Sequence, residues 1–173
     1  GRGVSRPPAE GPVKKEGDLR SPAGIFELGG VYGTVPVPNK KRSMPYRRIT
    51  PRDMWVDDPS SPLYNQHFVL KHDPVTPWEF KQQMKLNDYA HSLKLFIRHN
   101  ATGDQGRPVA GGGSSIFFHI WRRDGQAPTA GCTAMSEENL RAMIAWLDPS
   151  KHPLYILLPS REYLRLRKAW GLP

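Results

Sequence analysis

The cleanest hydrophobic patterning in this chain lies in its second half. Ser115-Ile116-Phe117-Phe118-His119-Ile120-Trp121 is nearly continuous in apolar and β-forming residues, which predicts a strand buried on both faces. Ser92-Leu93-Lys94-Leu95-Phe96-Ile97 alternates at first and turns apolar at its end, a second strand. Leu154 to Leu158 reads as a third. Between them Leu140, Met143, Ile144 and Leu147 recur at helical spacing. Ser136 is suited to cap that helix, Glu137 and Glu138 suit its positive N-terminal end, and Pro149 stops it. A short helix is expected from Trp78 to Met84 behind Pro77, and Ser160 is expected to cap a basic C-terminal helix.

The stretch up to about Pro62 is patterned differently, dense in Gly, Pro and charge with short apolar runs at Ile25–Leu28 and Val35–Val37. Proline cannot donate to a central ladder, so this part predicts loops and edge-type strands. Phe26, Tyr32, Tyr46 and Trp55 give it too much aromatic content for a solvated tail. Ala101 to Gly113 is a Gly- and Pro-rich loop, and no internal repeat is present. The expected architecture is mainly β with a few short peripheral helices. A length of 173 residues suits one domain spanning residues 1–173, and 18 Pro with 16 Gly favour short strands and turns over a helical bundle. No apolar run approaches the ~20 residues of a membrane span. The chain opens on Gly1-Arg2-Gly3 without Met or an apolar leader, so any export signal is expected to lie outside it.

Charge narrows the choice of partner only slightly. The net +9 is concentrated in residues 1–52, where 11 Lys/Arg stand against 4 acids, a surplus of +7. Residues 53–173 hold 14 against 12, a surplus of +2. Such a face suits nucleic acid, anionic lipid or an anionic wall polymer, or serves as a solubilising surface. A single Cys excludes an internal disulfide and a multi-thiolate zinc site. The His residues form no metal-ligand spacing, His67 and His72 being too far apart for one helical face. Gly111-Gly112-Gly113-Ser114-Ser115 lacks the Lys of a phosphate loop and leads into a strand, so it is turn chemistry, and no cofactor is expected.

Two segments carry candidate chemistry. The buried strand delivers His119 near its end, and Pro128-Thr129-Ala130-Gly131-Cys132-Thr133-Ala134-Met135 leads toward the capped helix. A Cys after Gly and shortly before a helix start is expected to have main-chain N–H groups nearby, which lower a thiol pKa and stabilise an oxyanion. Imidazole is the natural base for a thiol nucleophile. On spacing alone, a satisfied core histidine and an inert packing cysteine are the simpler account.

The surrounding residues change that balance. Ile116-Phe117-Phe118-His119 followed by Thr129-Ala130-Gly131-Cys132 resembles the His…(Ser/Thr)-x-Gly-Cys signature of the L,D-transpeptidase (YkuD-like) catalytic domain. Gly17-Asp18-Leu19-Arg20-Ser21-Pro22-Ala23-Gly24-Ile25-Phe26 is similar to that family's Gly-Asp-x-x-(Thr/Ser)-Pro-x-Gly-x-Phe segment. Pro45-Tyr46, Trp55-Val56-Asp57-Asp58-Pro59, Tyr64-Asn65 and Gly113-Ser114-Ser115-Ile116 look like markers of one branch. The resemblance runs from about Gly11 to Pro159. It departs from the family pattern at Ala130 and Ala134, where many members have His and Arg. Family domains also carry strands before the Gly-Asp segment, so the N-terminal edge of the β-sandwich is expected to be incomplete in this chain.

The resemblance implies an exported enzyme of the periplasm or cell envelope that performs a two-step acyl transfer on peptidoglycan stem peptides. Cys132 is the implied nucleophile and His119 its base, with a carbonyl near Ile120 orienting the imidazole. The main-chain N–H groups of Gly131 and Cys132 are candidates for the oxyanion hole. Tyr64, Asn65, Trp121 and Arg122 are candidates for substrate contact. Carbapenem-type β-lactams are implied as inhibitors, and anionic wall polymers are expected to attract the basic face. A carboxypeptidase or amidase using water as acceptor fits the same residues. A non-catalytic basic binding module is the other class, resting on Lys40-Lys41-Arg42 and Arg47-Arg48 near Tyr32 and Tyr46; nucleic acid is not the expected partner.

Overall fold

The computed structural model describes residues 12–37, 44–101 and 106–173. Lys40, Lys41 and Arg42, part of the expected basic face, lie outside the described residues. The architecture is mainly β: the described residues form eight strands in two sheets with a few short helices around them. The larger sheet runs β2-β1-β5-β6-β7, comprising β2 (Tyr46–Arg48), β1 (Gly24–Gly33), β5 (Leu93–Ile97), β6 (Phe117–Ile120) and β7 (Thr133–Met135). The remaining member, β8 (Leu154–Leu157), pairs antiparallel with the first half of β1, from Gly24↔Leu157 to Glu27↔Leu154. A register shift between Leu28 and Val31 turns the second half of β1 onto β5. β3 (Asp53–Trp55) and β4 (His67–Val69) form a separate hairpin-like pair.

The N-terminal part therefore does more than the sequence suggests. β1 is an interior strand with three partners, not an edge strand. Pro22 and Pro36 flank it and interrupt nothing, and Gly29-Gly30 conceal its alternation. Gly29 is required because β5 passes close: a Cβ there would lie 2.6 Å from Phe96 Cδ1.

The strands expected late in the chain form as β5, β6 and β8, and both β5 and β6 are buried at every position. One hydrophobic cluster joins Phe26, Val31, Leu95, Ile97, Phe118 and Ile120 to Leu140 and Ile144 of α2 (Glu137–Trp146) and to Leu147 at its C-terminal cap. The Ser136 side chain caps α2 by accepting from Asn139 N at 3.2 Å. On the opposite sheet face Ile49, Trp55, Met84, Phe96 and Phe117 form a second cluster, against which Cys132 packs. α1 (Pro77–Lys81) is shorter than expected and closed by a capping box between Thr76 and Glu79. Ser160 is the first residue of α3 (Ser160–Leu166); the capping position falls on Pro159, which has no side-chain donor or acceptor to offer.

Candidate active site

His119 lies on β6, and Cys132 leads directly into the adjacent β7 on the same face of the sheet. Lys94, His119 and Ala134 pair across β5, β6 and β7. Side chains two residues apart on a strand share a face, so Phe96 and Phe117 belong with Lys94 and His119. Cys132 precedes β7 by one residue, and its sulfur meets this second row: Phe117 N donates to Sγ at 3.5 Å, and Sγ donates to Ser115 O at 3.4 Å. Cys132 and His119 are therefore diagonal neighbours across a parallel strand pair.

His119 is 2% exposed, and its Nδ1–H donates to Ile120 O at 2.7 Å. A carbonyl can only accept, so this contact fixes the tautomer and leaves Nε2 with a lone pair. Burial lowers the His119 pKa, against the opposing pull of the Ile120 contact, and the imidazole is neutral at pH 7. His91, on the turn Tyr89–His91, stacks on it and is likewise depressed by burial, to about 3. Asp88 caps that turn and binds Arg122 through Nε at 2.8 Å, setting an ion pair beside both rings.

The Cys132 thiol departs from expectation. Three residues of strand separate it from the Ser136 cap, so it is not at a helix N-terminus. Burial pushes its pKa up, while the Phe117 amide and the Lys94 ammonium pull the other way. The resting pair is thus neutral thiol and neutral imidazole, an arrangement suited to general-base attack.

The loop before Cys132 is locked from two sides. Thr129 Oγ1 donates to Cys132 O at 2.7 Å and accepts from Gly131 N at 3.2 Å. Gly131 has φ +134°, and a Cβ there would lie 2.8 Å from Arg20 O. Glycine is therefore demanded both by conformation and by the close approach of the Gly17-Asp18 segment. Asp18 organises that segment by accepting from Lys14, from Lys15 N at 2.9 Å and from Arg20 N at 3.0 Å. Burial opposes its ionisation, yet these bonds bring its pKa down to about 2.

Of the other expected site residues, Tyr64 and Asn65 are braces within the protein. Asn65 accepts from Trp55 Nε1 at 2.9 Å and from Ser115 N at 3.1 Å, and donates to the carbonyls of His99 and Asn100. Tyr64 donates to Glu16 and accepts from Gly113 N at 3.0 Å. Both are buried with their polar groups engaged, and they hold the main chain entering β6. Trp121 and Arg122 are partly exposed just beyond His119. Lys94 and His91 are the site residues that sequence reasoning missed. Lys94 carried a signal, a lone charge in an apolar strand; His91 carried none.

Among the described residues no group of three His, Cys, Asp or Glu is gathered to hold a metal ion, and no helix is long and apolar enough to cross a membrane. Comparison with protein families matches residues 2–156 to the L,D-transpeptidase catalytic domain, YkuD. That match covers most of the chain, and the protein belongs to this family, whose enzymes act on peptidoglycan peptides. No curated protein and no solved structure matched the chain.

Proposed function

We propose that this protein is a peptidoglycan L,D-transpeptidase of the cell envelope, with Cys132 as nucleophile and His119 as general base. The observation that carries the reading is the 2.7 Å bond from His119 Nδ1–H to Ile120 O, which keeps Nε2 unprotonated on the face shared with the thiol. Nε2 takes the Cys132 proton as sulfur attacks the carbonyl of the third stem-peptide residue. The same proton then passes to the departing D-Ala amine, leaving a thioester. In the second half His119 deprotonates the acceptor amine, which attacks the thioester and releases the thiol. The Cys132 N–H is the leading oxyanion donor, because Gly131 N must first exchange its bond to Thr129. Trp121 and Arg122, partly exposed and next in sequence after β6, are the proposed substrate contacts.

The test is incubation with purified tetrapeptide stems, followed by mass spectrometry. Released D-Ala with a cross-linked dimer supports transfer. Released D-Ala with tripeptide alone makes the protein a carboxypeptidase on the same scaffold. Cys132→Ala is expected to abolish both while keeping the fold, and undiminished turnover in that variant would remove the cysteine mechanism altogether.

A further inference from the structure

Lys94 is a lysine where a strand interior calls for an apolar residue. It is 4% exposed, on a strand whose five residues are all buried. Its Nζ donates to Met84 O at 2.8 Å and sits 5.5 Å from the centroid of the Phe117 ring. No carboxylate among the described residues pairs with it, and a carbonyl and an aromatic face are the nearest compensation its charge has there. Burying an ammonium so sparsely compensated costs folding stability. A Leu or Met would fill the same slot without that cost.

The neighbours indicate what the charge does. Met84 and Phe117, the two residues Nζ contacts, belong to the cluster against which Cys132 packs, and Phe117 N donates to the sulfur. Lys94 is also the cross-strand partner of His119, and Ala134 on the far side of that row offers only a methyl group. The ammonium thus stands beside both the proton donor and the proton acceptor of the pair.

We propose that Lys94 is a positioning residue of the acyl-transfer site, its buried ammonium supporting the Cys132 thiolate as His119 removes the thiol proton. This inference rests on the cysteine mechanism above. In the step concerned the S–H bond breaks, its electron pair stays on sulfur, and the proton goes to His119 Nε2. Negative charge then appears beside an ammonium already in place, so no solvent need reorganise. Burial draws the Lys94 pKa down to about 8, with the Cys132 sulfur acting to raise it. At pH 7 the lysine is charged; through pH 8 it discharges and its support ends. His119 and His91, stacked on each other next to Lys94, are neutral rings. Arg122, paired with Asp88, and Lys14, paired with Asp18, act on the thiol from farther off and remain in any Lys94 variant.

The experiment is the pH dependence of Cys132 alkylation by iodoacetamide in the wild-type protein and in Lys94→Met and Lys94→Gln, with thermal unfolding measured alongside. It needs no peptidoglycan substrate, so its outcome is independent of whether stem peptides turn over. Alkylation at pH 7 is expected to be about tenfold slower in both variants, the loss expected when an adjacent opposite charge is removed. The difference should vanish above about pH 9, where Lys94 is neutral in the wild type. The unfolding midpoint of Lys94→Met should equal or exceed that of the wild type, because an uncompensated charge has been removed. Equal alkylation rates at pH 7, or a rate difference that persists unchanged at high pH, would overturn the proposal. So would a lowered midpoint with an unaltered thiol titration, which would make Lys94 a packing residue.

Discussion

The imidazole of His91 lies nearly flat on that of His119, ring centroids 4.7 Å apart and planes 29° from parallel. The stack and the Ile120 carbonyl together fix the plane and the tautomer of the proposed base. Removing the stack with His91→Ala is expected to lower kcat ten- to a hundredfold with little change in KM, roughly the cost of a small misplacement of a catalytic group. His91→Phe, which keeps a flat ring, should retain most of the rate. Steady-state kinetics on a stem peptide decide it; an alanine variant with wild-type kcat would make the stack incidental.

Burial depresses the His119 pKa below its ordinary value, so its neutral form persists into mild acid. The proposed reaction needs that neutral form. The acid limb of kcat/KM should therefore lie below about 6.5, the value of a free histidine. A limb at or above that value would mean that His119 is not the group titrating.

The same burial makes the fold acid-sensitive. His91 and His99 are held neutral with pKa values near 3 and 4, and His119 is shifted in the same direction. In the unfolded chain each binds a proton below about 6.5, so between that pH and their folded values the unfolded state binds more protons and stability falls as pH falls. At pH 5 the loss is on the order of 1–2 kcal/mol each for His91 and His99, and His119 adds to it in the same direction. Urea unfolding at pH 7.5 and at pH 5 measures it, and His99→Gln should flatten the slope if its own fold survives.

Gly131→Ala adds a methyl group 2.8 Å from Arg20 O at a φ of +134°. Backbone strain of this kind costs about 1–3 kcal/mol, and here it bears on the residue preceding the thiol. A lower unfolding midpoint together with lost turnover is expected. Turnover unchanged from wild type would show that the Gly17-Asp18 segment and the cysteine loop are not in close register.

A carbapenem should acylate Cys132 once per chain, visible as a single adduct by intact-protein mass and absent in Cys132→Ala. An adduct surviving in that variant would place the acylated residue elsewhere.

The sequence made the late elements plain because they obey one rule each: β6 is uniformly apolar, and α2 has an unbroken 3.6-residue spacing from Ser136 to Leu147. Cys132 and His119 were singled out through motif and neighbours, and their catalytic roles remain part of the proposal. β1 was not, since Gly29-Gly30 erase its alternation, and its central position depends on β8 from the other end of the chain. Lys94 was passed over within an alternating run because burial on both faces of β5 is a tertiary property. Tyr64 and Asn65 drew attention for their chemistry, but the partners that engage them, Glu16, Gly113 and Ser115, are distant in sequence. The thiol's raised pKa was missed for a related reason: β7 is only three residues long and hides inside the approach to α2.

The pairing of β1 with β8 gives the cysteine loop a long-range support. Gly24 to Glu27 can find Leu154 to Leu157 only when nearly the whole chain is available, and contacts so distant in sequence form slowly. The Arg20 carbonyl that backs Gly131 lies just ahead of that pairing, so the rear wall of the cysteine loop is carried by a segment anchored on β8. The close packing behind Gly131 thus depends on contacts between segments far apart in sequence.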